Sequence, residues 1–125
     1  MARKRSPTLT EAELRLMEIL WQKGSATVND VLEELPKRLS LAYNTVLTTL
    51  RILEKKGYIL HEKEGRAFVY RPVMRRSEAQ RNAVKYVVSR FFNNSPELLL
   101  LNVMEHEKID QDELKRLKKL IAEGE

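Results

Sequence analysis

Apolar residues recur at three- and four-residue steps in three short segments near the start of the chain, which predicts three helices. A capping box at Thr10–Glu13 opens the first helix, and Gly24 closes it. Thr27 caps a brief second helix. The third is predicted over residues 42–56 and stops at Gly57. The apolar stripe that we expect to face inward on it is Tyr43, Val46, Leu47, Leu50 and Leu53.

The periodicity then changes from helical to extended. Residues 58–62 and 67–70 are rich in aromatic and β-branched side chains and flank a turn that contains Gly65, which predicts a β-hairpin. After residue 72 the pattern is helical again, with predicted helix caps at Ser77, Ser95 and Asp110. The fold class is therefore mainly α with a small β-hairpin, in which three helices and the hairpin form a winged helix-turn-helix.

The chain divides into three predicted parts: a flexible basic arm (1–8), a winged-helix DNA-binding domain (9–74) and a helical dimerisation region (75–125). The last part has more apolar side chains than isolated helices could bury, since Leu98–Leu101 cannot all face one small core. Burial against a second copy is the expected solution, and folding back on the winged part is the alternative. The expected dimer contacts are Val84, Val88, Phe91, Leu98, Leu101, Leu114, Leu117 and Leu120.

Charge adds a second argument, because the net charge of +5 is unevenly distributed. Residues 1–76 hold fifteen Lys or Arg against nine Asp or Glu, whereas residues 77–125 hold eight against nine. A basic first part fits a polyanionic partner, with a merely solvated basic surface as the alternative. There is no apolar run of membrane-spanning length and no apolar stretch after the basic start, so we expect a cytoplasmic protein without membrane insertion.

The outward face of the third helix carries the candidate chemistry. Asn44, Thr45 and Thr48 are poor helix formers near a helix start, and their side chains suit the edges of adenine and thymine in the major groove. A polar, solvated face is the alternative for any one of them. We expect Arg51 and Lys55 on the same face. Cations that would touch phosphates are Arg3, Lys4 and Arg5 in the arm, Lys37 and Arg38 before the helix, and Lys63 and Arg66 in the hairpin turn.

Catalytic and metal chemistry find no support in the sequence. His61 and His106 are the only histidines, and neither has ligand spacing to the other. There is no cysteine, no Gly-rich phosphate loop and no nucleophile elbow. We therefore expect no enzyme, no cofactor and no metal site.

Eight motifs follow one another along nearly the whole chain: Leu9–Met17, Ile19–Trp21, Tyr43–Leu50, Lys55–Gly57, Gly65–Tyr70, Phe92–Ser95, Leu100–Glu105 and Asp112–Leu117. In this order they resemble the penicillinase repressor (BlaI/MecI) family. The resemblance implies a homodimeric winged-helix repressor that binds a dyad-symmetric operator and dimerises through its C-terminal helices. By position, Asn44, Thr45 and Thr48 are similar to its base- and phosphate-contacting residues.

The resemblance also implies routes of induction. In antibiotic-responsive members, a membrane sensor with a metalloprotease domain triggers cutting of an Asn-Phe bond, and the matching bond here is Asn102–Val103, with Val in place of Phe. Copper-responsive relatives use a cysteine pair, which this chain lacks. Ala42 stands where relatives often have a capping Ser, and Ser40 is the expected substitute.

Two function classes follow from the sequence. The first is a sequence-specific, homodimeric DNA-binding repressor that places residues 42–56 in the major groove and uses residues 58–71 as the wing. The second is a winged-helix protein–protein adaptor that does not read DNA, for which Asn44, Thr45 and Thr48 would be dispensable.

Overall fold

A computed structural model of the chain describes residues 8–39 and 41–123, except for the side chains of residues 121 and 122. Within these ranges the fold is mainly helical with one two-stranded antiparallel hairpin, as the sequence predicts. It forms two compact units, one ending at Tyr86 and one beginning at Val87. In chain order the elements are α1 (Glu11–Lys23), α2 (Val28–Glu34), a short 3₁₀ turn (Lys37–Leu39), α3 (Tyr43–Lys55), β1 (Ile59–Glu64), β2 (Ala67–Pro72), α4 (Arg76–Phe91), α5 (Pro96–His106) and α6 (Gln111–Glu123).

Both predicted caps of the first two helices are confirmed. At α1 the Thr10 hydroxyl accepts from the Glu13 N–H at 3.2 Å, and the Glu13 carboxylate accepts from the Thr10 N–H at 2.8 Å. Thr27 and Asp30 form the same reciprocal pair at α2. Gly24 closes α1 with a φ of 86°, a conformation that glycine adopts without strain. Local hydrogen bonds therefore fix both ends of α1 and the start of α2.

The core of the first unit lies between α1, α2, α3 and the hairpin. Val46, Leu50 and Leu53 of α3 are fully buried in it. The expectation that Tyr43 faces inward is wrong: it is 48% exposed, because it is the first residue of α3 and lies beyond the packed part of the stripe. On α1, Leu16 is buried, while Leu14 is 40% exposed.

A buried ion pair joins α1 to the end of α3. Lys56 Nζ lies 2.7 Å from Glu13 Oε1, and both side chains are less than a tenth exposed. The ammonium group also donates to the carbonyl of Thr8 at 3.1 Å. Burial raises the pKa of Glu13, but hydrogen bonds from Lys56 and Thr10 and the positive charge of Lys56 outweigh it and hold that pKa below 4.5. Glu13, which completes the capping box of α1, thus also holds Lys56, the residue that follows α3.

The hairpin is attached to the helices by backbone hydrogen bonds. Its register pairs Glu64 with Ala67, so Gly65 and Arg66 form a two-residue turn. Gly65 has a φ of 62°, and the first position of such a turn favours glycine. Ala26, in the link between α1 and α2, exchanges two backbone hydrogen bonds with Tyr70 of β2, at 2.8 and 2.9 Å. The wing is therefore held against the helix-turn-helix on its β2 side.

Helix α4 begins at Arg76, so the prediction that Ser77 caps it is wrong. The Glu78 carboxylate instead accepts from the N–H of Arg75, which occupies the cap position with no capping side chain of its own. The sequence places a domain boundary at residue 75, whereas the compact units divide within α4. Ala79 of this helix is buried in the core of the first unit, which explains why its first part belongs there.

The second unit contains the end of α4, then α5 and α6. Asn93 and Asn94 have φ values of 49° and 60° and end α4, as expected from an Asn pair. The Ser95 hydroxyl accepts from the Leu98 N–H, and the Asp110 carboxylate accepts from the Glu113 N–H, which confirms both predicted helix starts. None of the residues of α5 is buried, although most of its positions are apolar.

Glu13→Gln is expected to destabilise the first unit, because Lys56 would remain buried without a counter-charge. The loss should be about 3 kcal/mol, since removing one partner of a buried ion pair costs roughly that much. Urea unfolding at pH 7 measures it. Glu34→Gln is the control, because it breaks the exposed Lys23–Glu34 pair and should change the free energy of unfolding by less than about 0.5 kcal/mol.

The pH dependence of the same two proteins provides a second readout. The folded-state pKa of Glu13 is lowered, so its ionised form stabilises the fold above its unfolded pKa, and that stabilisation is lost as the pH falls through the folded pKa. The difference in unfolding free energy between wild type and Glu13→Gln should thus shrink below about pH 4.5. A difference that stays constant down to acid pH would show that the ion pair contributes nothing.

Candidate nucleic-acid interface

Helix α3 separates its apolar and polar residues onto opposite sides. Val46, Leu50 and Leu53 anchor it in the core. The residues expected to face outward are all exposed: Asn44, Thr45, Thr48, Arg51 and Lys55. Among the described residues, the side chains of Asn44, Thr45 and Thr48 make no hydrogen bond to the protein. Polar groups held on a rigid helix and left without internal partners are available to a ligand.

The start of α3 differs from that of the other capped helices. Ala42 is the cap residue, and its side chain has no acceptor for the first N–H groups. Ser40, the expected substitute cap, lies outside the described residues. The first helical turn therefore presents Tyr43, Asn44 and Thr45 at an exposed helix start. One turn later, Thr49 turns its hydroxyl back to donate to the Thr45 carbonyl at 2.8 Å, so Thr49 is engaged within the helix.

The hairpin brings two of the predicted cations to its tip. Lys63 is near the end of β1, and Arg66 is the second residue of the turn; both are exposed. Phe68 lies directly across from Lys63 and is 48% exposed. The tip thus combines positive charge with an accessible aromatic ring.

An open groove of about 350 Å³ lies between α3 and the hairpin. On the α3 side it is lined by Tyr43, Leu47 and Arg51, which are four residues apart and share one face. The hairpin contributes Arg66 and Phe68. The structure therefore brings together Arg51 and Arg66, which the sequence assigned separately to the helix and the wing.

Tyr43 is the residue of this groove that sequence reasoning placed in the core. Its position at the first turn of α3 was the available signal, since the end of an apolar stripe is its least enclosed part. A tyrosine there presents an apolar ring and a hydroxyl that can donate a hydrogen bond.

The remaining predicted phosphate contacts are dispersed. Lys37 and Arg38 are exposed in the 3₁₀ turn that precedes α3. Arg3, Lys4 and Arg5 lie outside the described residues. Lys55 is exposed in the last turn of α3, far along the helix from Asn44.

A histidine–carboxylate pair connects α3 to the hairpin. His61 Nδ1 of β1 lies 2.7 Å from a carboxylate oxygen of Glu54, and the His61 N–H donates to the same carboxylate at 3.2 Å. The His61 ring also packs edge-on against Phe68, with ring centroids 5.1 Å apart. Over the described ranges, no three His, Asp or Glu residues are grouped as metal ligands would be.

The second unit presents an apolar surface. Five of the residues predicted to contact a partner are between 41% and 74% exposed: Phe91, Leu98, Leu101, Leu117 and Leu120. Leu114 is half-buried. Val88 is only 8% exposed and so is already covered within one chain.

Two further predicted positions lie elsewhere on the helices. Val84, the predicted contact on α4 in the first unit, is 52% exposed. The Asn102–Val103 bond lies in the interior of α5, where Asn102 is exposed and Val103 half-buried. In the described part of the chain, no helix is both long enough and apolar enough to cross a bilayer.

Comparison with known proteins agrees with this architecture. The penicillinase repressor family model matches residues 9–123. The penicillinase repressor of Bacillus licheniformis is 32% identical over 120 residues, covering 96% of this chain and 94% of that protein. The methicillin resistance regulatory protein MecI of Mammaliicoccus sciuri is 27% identical, covering 90% and 92%.

Solved structures of repressors from this family are also similar to the chain. The DNA-binding domain of the repressor BlaI is 39% identical, with a TM-score of 0.52, and the match covers 61% of this chain and 93% of that one. The monomeric form of Bacillus licheniformis BlaI in complex with the blaP half-operator is also 39% identical, with a TM-score of 0.50 and the same coverage. From its sequence, its fold and its relatives, the chain belongs to the penicillinase repressor family of winged-helix transcriptional repressors.

Proposed function

We propose that this chain represses transcription as a homodimer that binds a dyad-symmetric operator, with one α3 helix of each copy in a major groove. The observation that carries the proposal is the exposed polar start of α3, where Asn44, Thr45 and Thr48 make no side-chain hydrogen bond within the described chain. In helix-turn-helix proteins, residues at this end of the second helix contact base edges. The related BlaI bound to a half-operator supports DNA as the partner.

The roles of the exposed side chains follow from their chemistry. Asn44 can form a paired hydrogen bond with an adenine edge, and the methyl groups of Thr45 and Thr48 can pack on thymine methyls. Lys63 at the wing and Lys55 at the end of α3 supply positive charge for phosphates, which sets the register without reading bases. The basic arm with Arg3 and Arg5 adds contacts of the same kind.

Dimerisation is proposed to occur through the second unit. Helix α5 has no buried residue, and its apolar Leu98 and Leu101 are about half exposed. A contiguous apolar surface of this kind is rarely left open to water in a soluble protein. A second copy of the chain, related by a twofold axis, would cover it and would place two α3 helices at two half-sites. Cytoplasmic location fits this role.

Loss of the dimer is the proposed route to derepression. One copy makes few base contacts, so occupancy of the operator depends on the second copy. By resemblance to the family, a membrane sensor metalloprotease would trigger cutting at Asn102–Val103. That bond lies inside α5, and a protease needs extended backbone, so cutting requires local unfolding of this helix.

The adaptor hypothesis remains the alternative, and base reading separates the two. The triple variant Asn44→Ala, Thr45→Ala, Thr48→Ala should lose affinity for a site selected by the wild type from genomic fragments. We expect each lost base contact to cost about 1–3 kcal/mol of discrimination. Affinity for an unrelated duplex should change little, because phosphate contacts remain. Fluorescence anisotropy at fixed salt measures both.

Gln22→Ala is the matched control, since Gln22 is an exposed amide on α1, away from α3. It should leave both affinities unchanged. If the triple variant keeps the wild-type preference, base reading by α3 is refuted and the adaptor hypothesis gains support.

Leu98→Asp with Leu101→Asp should convert the dimer into a monomer, because buried carboxylates would face each other across the twofold axis. Both leucines are exposed in a single chain, so the helices should remain folded. Sedimentation velocity gives the mass, and circular dichroism gives the helix content. Binding to a full operator should weaken by more than about 100-fold, while half-site affinity stays the same.

Lys108→Asp, an exposed change in the link between α5 and α6, controls for added negative charge. It should remain dimeric. A double leucine variant that still sediments as a dimer would place the interface elsewhere.

A further inference from the structure

The groove between α3 and the hairpin contains two arginines that lack carboxylate partners among the described residues. Arg51 and Arg66 both line it, from α3 and from the turn. Two arginines elsewhere in the first unit are paired: Arg71 lies 3.0 Å from Glu62, and Arg76 lies 3.9 Å from Glu18. Arg51 and Arg66 have no such counter-ion among the described residues, and they line one groove together.

The one acid of α3, Glu54, is bound to the hairpin and not to Arg51. Glu54 is one helical turn further along α3, at a spacing that permits a pair with Arg51. Its carboxylate instead accepts from the ring and the backbone N–H of His61. The hairpin thus engages Glu54 and leaves the charge of Arg51 directed to the groove.

The other lining side chains are uncharged, and the start of α2 contributes Thr27, Val28 and Asn29 to them. Tyr43 presents a hydroxyl, and its ring is half exposed beside Arg51. Leu47 and Phe68 form apolar walls of the groove. Two planar guanidinium groups and a phenol, with no carboxylate among the residues that line the groove, can bind a phosphate through charge-assisted hydrogen bonds.

We propose that this groove seats one backbone phosphate of the operator, gripped jointly by Arg51 from the reading helix and Arg66 from the wing, with the Tyr43 hydroxyl as a third donor. The inference rests on the proposed function, because it assumes that α3 enters the major groove. A DNA strand that runs from α3 to the wing crosses this groove, because the groove lies between the two. Arg51 is then a positioning residue that fixes the depth of α3, and not a reader of bases.

If both arginines bind one phosphate, their contributions to operator affinity are not independent. Arg51→Ala, Arg66→Ala and the double variant, measured on the same operator, test this. Each single variant should weaken binding about 10-fold, and the double variant by clearly less than the product of the two, because both arginines bind one group. The slope of log affinity against log salt should change little in the single variants, which leave the phosphate neutralised. In the double variant it should fall by about 0.9.

Arg71→Ala is the matched control, since Arg71 lies on the same hairpin but is paired with Glu62. It should leave affinity and salt slope unchanged. Tyr43→Phe should weaken binding a few-fold through loss of the hydroxyl alone. Arg51, Arg66 and Arg71 are exposed, and Tyr43 is 48% exposed, so circular dichroism should show unchanged folding.

Neutral methylphosphonate linkages, placed one at a time along each operator strand, locate the phosphate. One linkage per half-site should weaken wild-type binding and produce no further loss in the double variant. Fully additive arginine effects with a salt slope lower by about 1.8 would overturn the shared seat. So would an Arg51→Ala effect that depends on one base pair. Both of these outcomes leave operator binding by the wild type intact and reject only the shared phosphate. If the wild type bound no operator, the proposed function itself would be refuted.

Discussion

The buried pair between Glu13 and Lys56 determines how the reading helix is held. Glu13 closes the capping box of α1 and, through the same oxygen, accepts from Lys56 just after the end of α3. Lys56 in turn binds the carbonyl of Thr8. A charge buried in this way is costly unless all its partners stay in place. The pair therefore fixes the angle of α3 against α1, which a helix anchored only by apolar side chains would define less well.

The wing depends on the same kind of constraint at the opposite side of α3. Tyr70 is bonded through its backbone to Ala26, and His61 is bonded to Glu54. Burial raises the pKa of Tyr70, with a further increase from the charge of Glu54, so its phenol stays neutral within the core. Helix α3 is thus tied to α1 just after its end, at Lys56, and to the hairpin in its last turn, at Glu54. The rigid frame leaves the first turn of α3 as the accessible part.

Local signals in the sequence predicted most of the fold. Caps such as Thr10, Thr27, Ser95 and Asp110 need only neighbours within three residues, so they could be read directly. The Glu13–Lys56 pair could not, because it joins positions that are distant in sequence and only meet in the folded core. Tyr43 was misplaced for a related reason, since the periodicity that defines a stripe does not show where packing against it ends.

The candidate site was partly predictable in the same sense. The sequence assigned Arg51 and Arg66 to DNA as separate contacts, but only the fold shows that they line one groove. The leucine surplus of α5 was visible from composition, whereas the coverage of Val88 within one chain required the structure. In the proposed function, base reading and dimerisation are carried by different units, and the affinity for an operator depends on both.

Hydroxyl-radical footprinting on a site selected by the wild type shows whether two copies read one dyad through α3. We expect two protected half-sites in inverted repeat, centred about one DNA turn or a small multiple apart. Protection of both should appear together as protein is added, with two chains bound per site. A single protected half-site occupied by one chain, or no preferred site at all, would contradict it.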